Sequence, residues 1–171
     1  MKIVYALAAA AIAAGLTVAH AQDNGERLTA QQFVVAAGVS NMFEIESSRI
    51  AEQRAKNQEV KAFATQMIAD HTKAGDEMKA VVQKIGLEAP TELDEEHNQK
   101  LATLRDEADD DFDATYVDQQ VEAHEQAVAL FTNYAQSGDQ AELKAFAQKT
   151  LPVLQRHLEH VRGLDNQTGN M

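Results

Sequence analysis

An apolar seam with a strict seven-residue repeat runs through the segment between residues 60 and 85. Its members follow in steps of four and three, and they are Val60, Ala64, Met67, His71, Ala74, Met78, Val81 and Ile85. This repeat is typical of α-helices that pack at about 20° to one another in a bundle. The chain has only two prolines and eight glycines, and no stretch alternates apolar and polar residues long enough to predict a sheet. The sequence therefore predicts an all-α fold.

Capping residues and breaks in the apolar seams place four long helices. Thr29 can cap a first helix that ends near Lys56, and Gly86 ends the second helix. A third helix is predicted over residues 112–136, and a fourth ends near Arg162. We therefore expect a four-helix bundle.

The connection between the second and third long helices is unusually long. Residues 87–111 break the helical pattern, although residues 91–108 can form a short extra helix. A tight hairpin needs only a few residues, whereas a connection of this length can return the chain along the whole bundle. The second and third long helices would then be parallel, as in bundles with one long crossover.

The first residues have the features of a secretory signal peptide. Lys2 supplies a positive start, residues 3–18 form an apolar run, and Ala19-His20-Ala21 matches a small-x-small cleavage site. The run is too short to predict a stable membrane span, so we expect a mature chain in the periplasm or secreted, with no transmembrane span. The predicted segments are a signal peptide over 1–21, a flexible leader over 22–28, the bundle domain over 29–164 and a polar tail over 165–171.

The charge of the chain restricts its partners. The formal net charge is −12, which argues against nucleic acid and anionic membranes and favours a cationic or basic partner. There is no cysteine, so neither a disulfide nor a lipid anchor on a thiol is expected. No nucleophile constellation and no glycine-rich phosphate loop appears, and the sequence gives no positive evidence for an enzyme or for an oligomeric state.

Four titratable residues stand on apolar helix faces, where burial costs several kcal/mol unless a partner is present. His71, His124 and His157 lie on three different helices, and the first helix carries either Glu44 or Glu46. Counting residues from the turns places Glu44, His71 and His124 at the same height along the bundle axis. His157 falls roughly one and a half turns away, about 9 Å, and is the weakest member.

Two interpretations of this group remain open. Two imidazoles and a carboxylate can bind zinc, iron or copper, with Glu44, His71, His124 and His157 as candidate ligands. A di-iron centre is not expected, because its Glu-x-x-His motif is missing: the residues three before the histidines are Ile68, Val121 and Leu154. Alternatively, neutral histidines form a structural polar core, bonded to Glu44, Gln120, Asp70, Asp118 or a buried water.

Several segments of the chain resemble those of a known family. They are EIES at 44–47, VKAFA at 60–64, MIADHT at 67–72, FD at 112–113, YV at 116–117, AHE at 123–125, LKAFA at 143–147, TLP at 150–152 and HL at 157–158. On these residues the chain resembles the secreted bacterial family called domain of unknown function 4142. The resemblance implies an exported ferritin-like four-helix bundle, a family often given the label of an outer membrane protein, with no agreed activity. Its motif positions fall on Glu44, His71, His124 and His157.

Two functions from different classes are compatible with these observations. The first is an exported metal-binding bundle that serves envelope stress or metal handling. The second is a non-catalytic acidic envelope protein that acts through protein–protein interaction, with structural histidines in its core. Its surface carboxylates would include Glu95, Glu96, Asp109, Asp110 and Asp111. A redox enzyme that uses a bundle-bound metal is a poorer third hypothesis.

Overall fold

The computed structural model describes the backbone of residues 27–168 and the side chains of residues 27–166. This part of the chain forms five α-helices and contains no strand, which confirms the all-α prediction. The helices are α1 (Ala30–Arg54), α2 (Gln58–Ile85), α3 (Glu95–Asp106), α4 (Phe112–Ser137) and α5 (Ala141–Thr168). The expected signal peptide and most of the leader lie outside the described residues, so export stays a prediction. Within residues 27–168 no helix combines the length and the apolarity needed to cross a bilayer.

Side-chain caps fix the ends of α1 and α2 where the sequence predicts them. Thr29 and Gln32 form a capping box, in which the Thr29 hydroxyl accepts from the Gln32 amide and the Gln32 side chain accepts from the Thr29 amide at 2.8 Å. The Asn57 side chain accepts from the amide of Glu59 at 2.8 Å and starts α2. Gly86 ends α2 with a φ of 71°, a left-handed conformation that glycine adopts without steric cost.

Contacts at the end of α1 establish the direction of α4. The Arg54 guanidinium donates to the carbonyls of Leu104 and Glu107 at 2.9 and 2.6 Å, where the crossover ends. The backbone amide of Asn57, at the start of α2, donates to the Asp113 carboxylate on the first turn of α4 at 2.7 Å. The helices α2 and α4 therefore begin at the same end of the bundle and run parallel, which confirms the long crossover.

The crossover helix is shorter than the sequence indicates. It spans α3 alone rather than residues 91–108, because Asp94 caps it by accepting from the amide of His97 at 2.9 Å. The apolar side chains of Leu101 and Leu104 bury α3 against the bundle, and Leu101 packs in one cluster with Phe43 of α1 and Ala123 of α4. This packing covers part of the α1–α4 side of the bundle, beside Phe43.

Besides the small cluster of Phe43, Leu101 and Ala123, the core consists of two large apolar clusters with a polar layer between them. At one end, Phe33 stacks on Tyr134 with 4.0 Å between ring centroids and meets Phe131 edge-on at 5.1 Å; we call these three residues the aromatic end. A second apolar cluster, which includes Phe63 and Val161, fills the opposite end. The polar layer lies between them on all four long helices, and we call it the histidine layer: Glu44, His71, Gln120, His124 and His157.

Two details of the helices differ from the sequence pattern. Near the end of α2 the buried valine is Val82, at 2% exposure, and Val81 is only partly buried, so the seven-residue seam shifts by one position there. An α-helix has 3.6 residues per turn, so a strict seven-residue stripe drifts around its surface. The fourth long helix, α5, continues past the predicted end near Arg162 to Thr168, and buried Leu164 lies in this extension.

Candidate metal centre

Three histidine rings meet at the centre of the bundle. The ring centroids are 5.7 Å apart for His71 and His124, 5.7 Å for His71 and His157, and 5.5 Å for His124 and His157. One ring nitrogen from each residue lies within 4.8 Å of the other two. All three side chains are buried, with residue exposures of 6%, 0% and 2% respectively. Small side-chain rotations would bring three such nitrogens to the distance of about 2 Å at which imidazole binds first-row metals.

His157 stands level with the other two histidines, although residue counting along the helices places it about 9 Å away. Side chains on an α-helix lean toward its N-terminus. Because α4 and α5 run antiparallel, His124 leans toward His157 and His157 leans toward His124. His124 lies 13 residues before the end of α4 and His157 lies 16 residues after the start of α5, so the observed helix bounds reduce the offset to about 4.5 Å. The lean acts to reduce it further, and His157 joins the group as fully as His71 does.

Each imidazole uses one ring nitrogen to contact a nearby oxygen. His71 Nδ1 lies 3.2 Å from Asn41 Oδ1, His124 Nδ1 lies 2.9 Å from the carbonyl oxygen of Gln120, and His157 Nε2 lies 3.0 Å from Asp70 Oδ2. These oxygens accept hydrogen bonds, so the ring nitrogen that faces each of them carries the proton. These contacts set the tautomer of each neutral ring, and in that neutral form the second nitrogen of the ring keeps a lone pair.

Those second nitrogens are the notable feature of the site. Among residues 27–166, His71 Nε2, His124 Nε2 and His157 Nδ1 are buried and have no hydrogen-bond partner. A buried polar atom without a partner costs about 1–3 kcal/mol. Of the partners expected for a structural polar core, Gln120 and Asp70 each satisfy one ring nitrogen, Asn41 takes this role for His71 unexpectedly, and Asp118 is exposed at the surface. A cation that binds all three lone pairs would satisfy the remaining three nitrogens together.

Glu44, rather than Glu46, is the buried glutamate. Glu46 has a side chain 43% exposed and pairs with Arg49 at 2.7 Å. Glu44 is fully buried, and its Oε1 lies 3.4 Å from His124 Nδ1, whose proton is directed to the Gln120 carbonyl. Burial raises the pKa of Glu44, and the neighbouring His124 partly opposes this shift. Glu44 therefore stands beside the three-histidine group, in contact with the outer edge of His124.

Burial also keeps two of the histidines neutral. It lowers the pKa of His71 well below its ordinary value of 6.5, and the other two histidines add to this shift. Burial lowers the pKa of His157 to about 4, although the bond to Asp70 opposes the change. Neutral imidazole is the form that binds metals, so these two side chains are ready to act as ligands near pH 7.

Hydrogen bonds around the group were only partly visible in the sequence. Gln120 stands one turn before His124 on the same seam, and its side chain donates to Ser47 Oγ at 3.1 Å. Asn41, the partner of His71, lies next to the apolar stripe of α1 and not on it, so the sequence pattern does not mark it as a buried residue. Ser48 and Tyr116 add a buried bond at 2.9 Å that no sequence motif indicates.

The remaining histidines of the described chain lie outside the group. His97 sits on α3, where its Nδ1 contacts the capping carboxylate of Asp94 at 2.7 Å. His160 is exposed on α5 and its ring meets Phe63 edge-on at 5.2 Å. The acidic run after α3 is engaged with cations: Asp109 pairs with Arg54 at 2.9 Å and Asp110 with Lys56 at 2.7 Å.

Comparisons with known proteins agree with the fold and leave the activity open. The model of the family described as a domain of unknown function (DUF4142) matches residues 15–164. A crystal structure of a DUF305 fragment from Deinococcus radiodurans is similar, with a TM-score of 0.69 and 14% sequence identity, over 82% of this chain and 95% of that chain. At this identity the likeness shows the fold alone. No curated protein matches the sequence significantly.

Proposed function

The chain belongs to the family described as a domain of unknown function (DUF4142), and we propose that it binds one transition-metal ion through His71, His124 and His157. The observation that carries this proposal is the set of three buried ring nitrogens, one per histidine, that have no partner among residues 27–166. Their opposite nitrogens contact Asn41, Gln120 and Asp70, an arrangement that orients each imidazole and increases its basicity.

The donor set restricts the metal. Three imidazole ligands suit zinc, copper or iron, whereas calcium and magnesium prefer oxygen ligands. Glu44 is the nearest buried carboxylate, with Oε1 at 3.4 Å from His124 Nδ1. As a carboxylate it would offset part of the charge of a divalent ion through His124, without itself being a ligand in this arrangement. We therefore propose a role in metal binding or metal handling rather than catalysis.

A titration of metal-free protein, purified without a histidine tag, tests this proposal. We expect Zn²⁺ or Cu²⁺ to bind with one ion per chain and to raise the unfolding temperature, since an ion at 100 times its Kd adds about 2.7 kcal/mol to folded-state stability. His124→Leu should abolish both effects, because it removes a buried ligand.

His160→Leu is the matched control, since it removes a histidine from the exposed surface of α5. It should bind metal as the wild type does. Equal binding by His124→Leu and wild type, or a folded wild-type protein whose stability ignores zinc, copper and iron, would refute the proposal.

A further inference from the structure

A surface cleft lies between α2 and α5, directly outside the three-histidine group. It has a volume of about 100 Å³, and its polar lining comes from Asp70, Lys73, Glu77, Lys149 and Thr150. The Lys149 ammonium pairs with the Glu77 carboxylate at 2.8 Å, and this ion pair joins α5 to α2 at the cleft.

Asp70 connects this cleft to the histidines. Its side chain is 39% exposed, while its Oδ2 lies 3.0 Å from Nε2 of His157, whose side chain is only 3% exposed. One carboxylate thus touches solvent on one side and a proposed metal ligand on the other.

A small cavity adjoins the cleft. It has a volume of about 30 Å³, and its lining includes His71, together with Ala74 and Thr150. Ala74 and Thr150 also line the surface cleft. Two small side chains, Ala74 and Thr150, therefore lie between the surface cleft and the cavity beside His71.

Two further surface clefts, of about 650 and 410 Å³, lie on the α1–α4 and α1–α2 sides, but neither is lined by a carboxylate that contacts a histidine of the group. The two large apolar clusters fill the ends of the bundle, and Leu101 of α3 packs with Phe43 over part of the α1–α4 side. Moving an ion through such layers is costly, because apolar side chains do not replace its water.

We propose that metal ions reach and leave the three-histidine site through the α2–α5 cleft, with Asp70 as the first protein ligand and the Glu77–Lys149 ion pair as a closure. This inference rests on the proposed metal binding. Asp70 supplies an oxygen ligand and a negative charge at the mouth. Lys149 repels a cation there and holds Glu77, so the ion pair slows passage in both directions without affecting the bound state.

The test compares Lys149→Met with Lys84→Met. Lys84 of α2 also pairs with a carboxylate of α5, Glu142, at 3.2 Å, but neither residue lines the cleft. Uptake of Zn²⁺ by metal-free protein and its release to a chelator are measured by stopped flow. Lys149→Met should speed both uptake and release about threefold and leave the Kd unchanged. Lys84→Met should leave both rates near those of the wild type.

Asp70→Asn provides a second, independent readout. The asparagine oxygen can still accept the proton of His157 Nε2, so the orientation of the ring is retained while the charge is lost. We expect slower uptake, by about threefold, with no slowing of release. A purely orienting role for Asp70 would leave the uptake rate unchanged.

The outcomes separate the two proposals. If the wild type takes up no metal, the proposed function fails and the route fails with it. If the wild type binds metal but Lys149→Met matches Lys84→Met, or Asp70→Asn takes up metal at the wild-type rate, the α2–α5 route is wrong and the metal site stands.

Discussion

The aromatic end and the histidine layer are both buried between the long helices, yet they differ in how far the hydrogen-bonding capacity of their polar atoms is satisfied. At the aromatic end, Phe33 stacks on Tyr134, and the Tyr134 hydroxyl donates to Asp139 at 2.9 Å. In the histidine layer lie six of the seven buried side-chain atoms that lack a hydrogen-bond partner among the described residues. Buried atoms of this kind are rare in folded proteins.

This difference suits the aromatic end to stabilising the fold and the histidine layer to a functional role. Apolar packing at the aromatic end removes rings from water at no electrostatic cost, so it stabilises the bundle. The histidine layer introduces unsatisfied groups that leucine or phenylalanine would avoid. A chain that keeps such a layer between two apolar clusters gives up stability there, as proteins commonly do at functional sites.

The largest expected effect is at the aromatic end. Phe33→Ala should lower the free energy of unfolding by about 3–5 kcal/mol, because it leaves a cavity between Tyr134 and Phe131. Urea unfolding with and without Zn²⁺ measures the change. The folded fraction should still bind one ion per chain, since Phe33 lies in the apolar cluster and not in the histidine layer.

The comparison would be broken by either of two results for Phe33→Ala. A loss of metal binding by the folded variant would mean that the aromatic end shapes the metal site. An unchanged free energy of unfolding would mean that packing at the aromatic end contributes little to the stability of the bundle.

A smaller effect on stability is expected from a change of pH in the histidine layer. The folded-state pKa of His157 is lowered to about 4 from an ordinary value of 6.5. Between these values the unfolded chain binds more protons than the folded one, so stability is present above about pH 6.5 and is lost as the pH falls. For His157 alone the loss from pH 7 to pH 5 is about 2 kcal/mol. The lowered pKa of His71 acts in the same direction.

Glu44 acts in the opposite direction. Its folded-state pKa is raised, so in the range just above its ordinary value of 4.5 the folded state binds the extra proton and gains stability as the pH falls. Metal-free Glu44→Gln should therefore lose stability more steeply than metal-free wild type between pH 7 and pH 5, as measured by urea unfolding. A flat profile in Glu44→Gln would show that the histidines are not neutral and buried.

The sequence predicted the fold because helix periodicity and end signals are local. Thr29 and Gly86 act within one turn of the chain, and the length of the crossover limits the topology without knowledge of side-chain contacts. The same local signals placed His71 and His124 on the faces that meet. Glu44 and Glu46 could not be separated, because both lie on competing stripes and only packing decides which stripe is buried.

The details of the site depend on geometry that the sequence does not encode locally. The height of His157 depends on where α5 begins and on the lean of side chains on two antiparallel helices, neither of which residue counting from the predicted turn gives correctly. Asn41 contacts a residue 30 positions away across α1 and α2, and nothing in its neighbourhood marks it. Which nitrogen of each ring is free follows only from the positions of Asn41, Gln120 and Asp70.

An anomalous-scattering map of crystals soaked with Zn²⁺, recorded at the zinc absorption edge, tests the central claim most directly. We predict one strong peak per chain at the centre of the histidine layer, bound by His71 Nε2, His124 Nε2 and His157 Nδ1. These are the three nitrogens without partners among the described residues. Peaks confined to surface carboxylates, or a peak bound through the nitrogens that face Asn41, Gln120 and Asp70, would contradict it.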